Sequence, residues 1–168
     1  MTAGSVERVP VPIREPLIGG ERYDYADCFE VRLPGPDERS AEEFTRSALE
    51  EAPWPVRGTV SIAHRYVLRL RLGPRSSPHH LFGWEICASE HDVVHLEARS
   101  PLLGRGAIVA RRPDPGRAVL TTYVFFARPR LSRAVWAVTG PVHRRVAAYL
   151  LERVASSPRH RDHLAAAR

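Results

Sequence analysis

Eight histidines and two cysteines are where acid–base, nucleophilic or metal chemistry in this chain has to start. His95, Glu97 and Arg99 stand two residues apart, a period that puts them on one side of a strand, opposite Val94, Leu96 and Ala98. Turned inward, His95 and Glu97 form an acid–base pair of the kind a cyclase or dehydratase needs. Turned outward, they are a surface charge ladder that contributes little, and the aliphatic residues on the other side favour that placement. His143 follows Gly140-Pro141-Val142. At about 100° per residue from Val142, the side chains of Val146, Ala147, Tyr149, Leu150, Leu151 and Val154 spread over one broad half of a helix, with His143 near its middle. Arg144, Arg145, Ala148 and Glu152 fall on the other half. A buried imidazole in that stripe needs a partner or a water. It is either a ligand-contacting or proton-transferring group, or a core histidine bonded to backbone.

The remaining candidates read as scaffold or surface. Cys28 and Cys87 lie 59 positions apart with no Cys-x-x-Cys pair, which suits reduced packing residues. His79-His80 and His160-Arg161-Asp162-His163 lack a third fixed ligand, so no metal site and no cofactor are expected. Arg57, His64 and Arg71, with Arg65 and Arg69 nearby, form a basic flank without the aromatic interleaving or recognition motif of a nucleic-acid binder. That flank reads as solvated. Trp54, Trp84 and Trp136 each sit beside a predicted apolar face and read as core. Gly-x-Ser-x-Gly, P-loop and Gly-x-Gly-x-x-Gly patterns are absent, which removes the commonest hydrolase, NTPase and dinucleotide chemistries.

These residues need elements to position them. Residues 1–20 contain several prolines and end in Gly19-Gly20, so they read as an extended arm that can be no central strand. A strand runs from about Tyr25 to Leu33, with Phe29, Val31 and Leu33 on one face. Ser40 and Glu43 form a capping box that opens a helix to Ala52. Residues 54–72 mix two periods. Val56, Val60, Ala63, Val67 and Leu70 recur helically, whereas Leu68, Leu70 and Leu72 alternate with Arg69 and Arg71; the Gly73-Pro74 stop favours one helix ending there. From Leu81 the period is two. Strands follow around Phe82–Ile86, Val94–Ala98, Gly106–Arg112 and Ala118–Ala127, the last two joined across Pro113-Asp114-Pro115-Gly116. A helical period returns after Pro129, breaks at Gly140-Pro141, and a final helix runs from Val142 to about Ala155 before a polar tail from Pro158. The class is α+β: strand, two helices, about four strands and a long C-terminal helix.

That order resembles the START-like, or SRPBCC, helix-grip fold, a curved antiparallel sheet closed by its C-terminal helix. Leu120-Thr121-Thr122-Tyr123 to Phe126, Trp136, Gly140-Pro141-Val142-His143-Arg144, Leu150-Leu151, and Asp24-Tyr25-Ala26-Asp27 at the first strand resemble a bacterial domain-of-unknown-function family of that superfamily. His95-Leu96-Glu97-Ala98-Arg99 only loosely approaches a His-Leu-Asp-Phe-Arg string of some members. The resemblance covers most of residues 21–157 and implies a cavity for an apolar small molecule between sheet and C-terminal helix. Trp84, Ile86, Leu96, Val124, His143 and Leu150 are the candidate lining. A polyketide-cyclase-like enzyme using His143, with or without His95 and Glu97, is the alternative, and an Arg-rich module for nucleic acid or an acidic protein is the second alternative.

Composition bounds all three. The 168 residues fit one domain, and no apolar run approaches a membrane span. The net charge is +6, yet every base is Arg and there is no Lys, Asn or Gln, a skew typical of GC-rich coding. Arg then does the solubilising on any surface, so basicity alone does not point to nucleic acid. Residues 1–16 lack a signal-peptide layout, and a cytoplasmic, thiol-reducing setting without a membrane partner is expected.

Overall fold

In the computed structural model, which describes residues 4–156, one antiparallel sheet carries the helices on one face and the N-terminal arm on the other. The strands are β1 (Val6–Arg8), β2 (Tyr25–Arg32), β3 (His80–Leu81), β4 (Trp84–Ser89), β5 (Val93–Ser100), β6 (Gly104–Asp114) and β7 (Arg117–Phe126). Their order is β1-β2-β7-β6-β5-β4-β3. The sheet is thus wider than the sequence pattern suggests, because the arm contributes β1 and a two-residue β3 pairs the edge of β4. Pairing of β2 with β7 brings the first long strand beside the last, and sets Tyr25 opposite Val124, Asp27 opposite Thr122 and Phe29 opposite Leu120. Pro115-Gly116 turns β6 into β7, with the Gly116 amide donating to Asp114 Oδ1 at 2.9 Å.

Helix α1 (Ala41–Glu50) starts at the expected capping box: the Glu43 amide donates to Ser40 Oγ at 3.2 Å and the Ser40 amide to Glu43 Oε2 at 2.8 Å. Helix α2 does not reach Gly73. It spans Trp54–Ile62, continues as one π-helical turn over Ala63–Val67 and stops, with Arg69 at φ 49°. Beyond it the chain is extended, Leu68 and Leu70 are buried, and Arg71 bridges to Arg99. Both periods were real, each over its own segment. Helix α3 (Pro129–Ala155) is continuous through Pro141, so Gly140-Pro141 is no boundary; the lost amide bond is tolerated within a long, packed helix.

The inner face of the sheet meets the helices over Val31, Val94, Leu96 and Val124, each at most 1% exposed, a burial that contributes on the order of 2 kcal/mol per side chain. On the outer face Val93, Ala107, Val109 and Tyr123 pack under Ile18, Val11 and Leu17 of the arm. Among the described residues no helix is long and apolar enough to cross a membrane. Residues 1–3 of the arm, and the tail with His160 and His163, lie outside the described residues.

Candidate functional site

Between α1, α3 and the β6–β7 part of the sheet lies a cavity of about 80 Å³. Phe44, Val60, Leu120 and Leu150 give it apolar walls, while Thr122, His64 and His143 bring polar atoms to it. Arg112 also borders it, but its guanidinium is consumed by the carbonyls of Asp37, Arg39, Pro115 and Arg117 at 2.7–3.2 Å. It ties the loop before α1 to the β6–β7 hairpin.

Behind His143 stands Asp27, 0% exposed. Strand alternation explains its position, because Tyr25, Asp27, Phe29 and Val31 share the inward face of β2. Tyr25 Oη donates to Asp27 Oδ2 at 2.6 Å, and Arg144 donates to Tyr25 Oη at 3.1 Å. Asp27 Oδ1 lies 3.5 Å from His143 Nε2, the outer limit of a hydrogen bond and a contact ion pair when the imidazole is protonated. The Trp136 ring packs against Tyr25 at 4.9 Å and His143 at 5.4 Å between centroids. Gly140 makes room for it: a Cβ there would sit 3.1 Å from Trp136 Nε1.

Burial pushes the Asp27 carboxyl towards the neutral form, but the facing His143 imidazole and the hydrogen bond from the Tyr25 hydroxyl outweigh it and hold its pKa below the ordinary 3.8. Burial raises the Tyr25 hydroxyl, and the Asp27 carboxylate reinforces that. His64 sits edge-on to Trp84 and Phe82; burial first, then the charges of His143 and Arg75, bring it down to about 4. It is neutral at pH 7. Trp84 Nε1–H points at His64 Nδ1 from 3.5 Å, which puts the proton of that ring on Nε2.

Four buried polar atoms in this corner have no hydrogen-bond partner: Asp27 Oδ1, His143 Nε2, Thr122 Oγ1 and Trp136 Nε1. Two of them belong to residues that line the cavity. Such atoms are expensive to bury unmet and so mark where a polar group of a ligand or a water is accommodated.

Of the residues singled out in the sequence, His143 and Leu150 line the cavity. Trp84, Leu96 and Val124 belong to the adjoining core, with Ile86 packed against it, and none of these four lines the cavity. His95 and Glu97 lie on the outer face, away from the helices, yet they are no solvated ladder, since His95 is 5% exposed. One surface assignment and one core assignment need correcting. His64 faces inward, because as the i+4 neighbour of Val60 it shares the buried stripe, while Arg57 alone turns back to the Glu50 carbonyl. Trp54 is 76% exposed, since Pro53 and Pro55 start α2 at its outer end. Asp27, Tyr25 and Thr122 stand in no reactive spacing, while His64 and Trp136 read as surface and as core; the alternation of β2 carries the signal for the first two.

No family model, curated protein or solved structure matches the chain. Its chemistry has to be argued from its own residues.

Proposed function

We propose that this is a START-like, helix-grip protein that takes a small, largely apolar molecule into the cavity between sheet and α3, where a polar group of that molecule meets His143 and Thr122. The observation that carries the reading is the set of polar atoms, unpartnered among the described residues, at one corner of a largely apolar cavity. The first and last long strands side by side, with the last helix laid over them, support the fold assignment. Free thiols at Cys28 and Cys87 fit a reducing, cytoplasmic setting.

Size constrains the ligand. A cavity that takes benzene measures about 150 Å³, so at about 80 Å³ this one accepts a few heavy atoms unless its walls move. Native mass spectrometry of protein purified under mild conditions tests the reading directly, followed by thermal melts against a panel of small apolar acids, alcohols and ketones. His143→Leu keeps the bulk and helix propensity of the site, so it is expected to fold while losing the stabilisation given by ligands with a polar end. A lowered melting point with unchanged ligand-induced stabilisation assigns His143 a structural role and removes the basis of the reading.

A second reading, an acid–base enzyme of the polyketide-cyclase type, is favoured by one further observation: the buried Asp27 carboxylate stands 3.5 Å from His143 Nε2, where it orients the ring. Asp27→Asn separates the two readings, since it leaves apolar binding intact but lowers turnover of any substrate found by about 10²-fold or more.

A further inference from the structure

The outer face of the sheet carries a second constellation, independent of the cavity. A β-bulge between Ile86 and Ala88 shifts β4 against β5, so that Ile86 faces Leu96 but Ala88 faces His95, with Cys87 the extra residue. The Cys87 thiol, a His95 ring nitrogen and a Glu97 carboxylate oxygen thereby come within 4.8 Å of one another. His95 Nε2 and Glu97 Oε1 are already 3.4 Å apart. That nitrogen is buried and has no hydrogen-bond partner among the described residues, in a residue only 5% exposed. A buried imidazole nitrogen aimed at a carboxylate and a thiol, and bonded to neither, points to a missing ligand.

We propose that Cys87, His95 and Glu97 bind a zinc-class divalent cation, with the fourth coordination position open to solvent on the Cys87 side. Thiolate, imidazole and carboxylate together suit zinc rather than magnesium or calcium, which take oxygen ligands. Ligand atoms about 2.0–2.3 Å from a tetrahedral zinc lie roughly 3.5 Å from each other. The histidine and glutamate meet that spacing as they stand, and exposed Cys87 closes the rest by turning about χ1. Arg105 donates to Glu97 Oε1 at 2.8 Å and also holds Glu21. It fixes the carboxylate as outer partners of metal ligands do, and Oε1, which keeps a second lone pair, is the oxygen that stands 3.4 Å from His95 Nε2. Binding releases the thiol proton to solvent, and the thiolate and carboxylate then balance the two positive charges. Spacing in the chain hides the set, because Cys87 reaches His95 only across a bulged strand pair.

Titration of the full chain with cobalt(II), followed by displacement with zinc, tests the site. The expected spectrum has a thiolate-to-cobalt charge-transfer band and the intense visible bands of four-coordinate cobalt. Cys87→Ser, at an exposed position, is expected to abolish the charge-transfer band and weaken zinc binding about 100-fold or more, and Glu97→Gln to weaken it about 10- to 100-fold while the band persists. A His160→Ala/His163→Ala double variant is expected to change neither. A six-coordinate cobalt spectrum, a spectrum indifferent to Cys87→Ser, or loss of binding in the double variant overturns the proposal.

Discussion

At the residue scale the cavity corner is a problem in protonation. His64 titrates at about 4 inside the fold against 6.5 when free, so between those values the unfolded chain binds a proton that the folded one refuses. Its stabilising contribution is therefore complete above pH 6.5 and is lost as pH falls towards 4. The full shift corresponds to at most about 3 kcal/mol. Urea unfolding between pH 7.5 and 4.5 is expected to show stability falling over this window, and His64→Leu to flatten the slope. Asp27 acts in a lower window. Its folded pKa lies below 3.8, so what it contributes is present above that value and is lost as pH falls below it. Asp27→Asn is expected to cost about 1–3 kcal/mol at pH 7, because the Tyr25 hydroxyl and the His143 ring lose the carboxylate they face, and to reduce the acid-side dependence below pH 4. Equal stability of variant and parent at pH 7 excludes an Asp27–His143 pair. The inward placement of Asp27 is carried by its parity with Phe29 and Val31, a signal the search for reactive spacings does not use. The near contact of His143 with it is not legible in the sequence, since it joins residues more than a hundred positions apart.

At the element scale the part most open to movement is α2 with its π turn. It buries only Val60 fully, while Trp54, Ile62, Tyr66 and Val67 face solvent, yet the same segment delivers His64 to the cavity. π turns of this kind often occur at functional positions, and weakly packed elements open first. If the cavity enlarges to take a ring-sized molecule, this wall is the one that yields. Hydrogen exchange of residues 54–67 is expected to be faster than that of β5–β7 in the free protein, and to slow on addition of whichever ligand raises the melting temperature. Unchanged exchange there, with slowing confined to α3, places the opening elsewhere. The same stretch shows why part of the fold escaped the sequence. A helical stripe and a strand alternation overlap at Leu68 and Leu70, and a periodicity window averages them, whereas the chain divides them with one residue at positive φ, Arg69. Pro141 misled for the opposite reason: proline is a strong local stop, but packing of Trp136, Ala147 and Leu151 holds α3 on both sides of it.

At the scale of the whole molecule, the +6 charge and the arm have one explanation between them: surfaces that look free are engaged. Arg39, Arg46, Arg105, Arg111 and Arg117 each sit against a carboxylate and Arg112 is buried, so part of the positive charge is neutralised within the fold. Affinity for DNA or RNA in a filter-binding assay at physiological salt is expected to be no tighter than micromolar, as for non-specific binders. Proline-rich residues 4–20 are likewise packed against the sheet. Their prolines keep them from becoming a full extra strand, but Val6–Arg8 pairs β2, Ile18 is 5% exposed over Val93, Val109 and Tyr123, and Glu15 holds Arg111 at 2.7 Å. The sheet is therefore covered on both faces, which is why outward-pointing Val93, Ala107 and Val109 can be apolar. Ile18→Ala removes the plug at the centre of this cover, and large-to-small changes at such sites cost about 2–4 kcal/mol. Chemical denaturation is expected to show that loss for Ile18→Ala and a larger one when residues 1–20 are deleted, with the Tyr123 ring newly accessible to solvent quenchers. If both variants unfold at the parent's midpoint, the arm is an appendage, and the outer face must be stable without it.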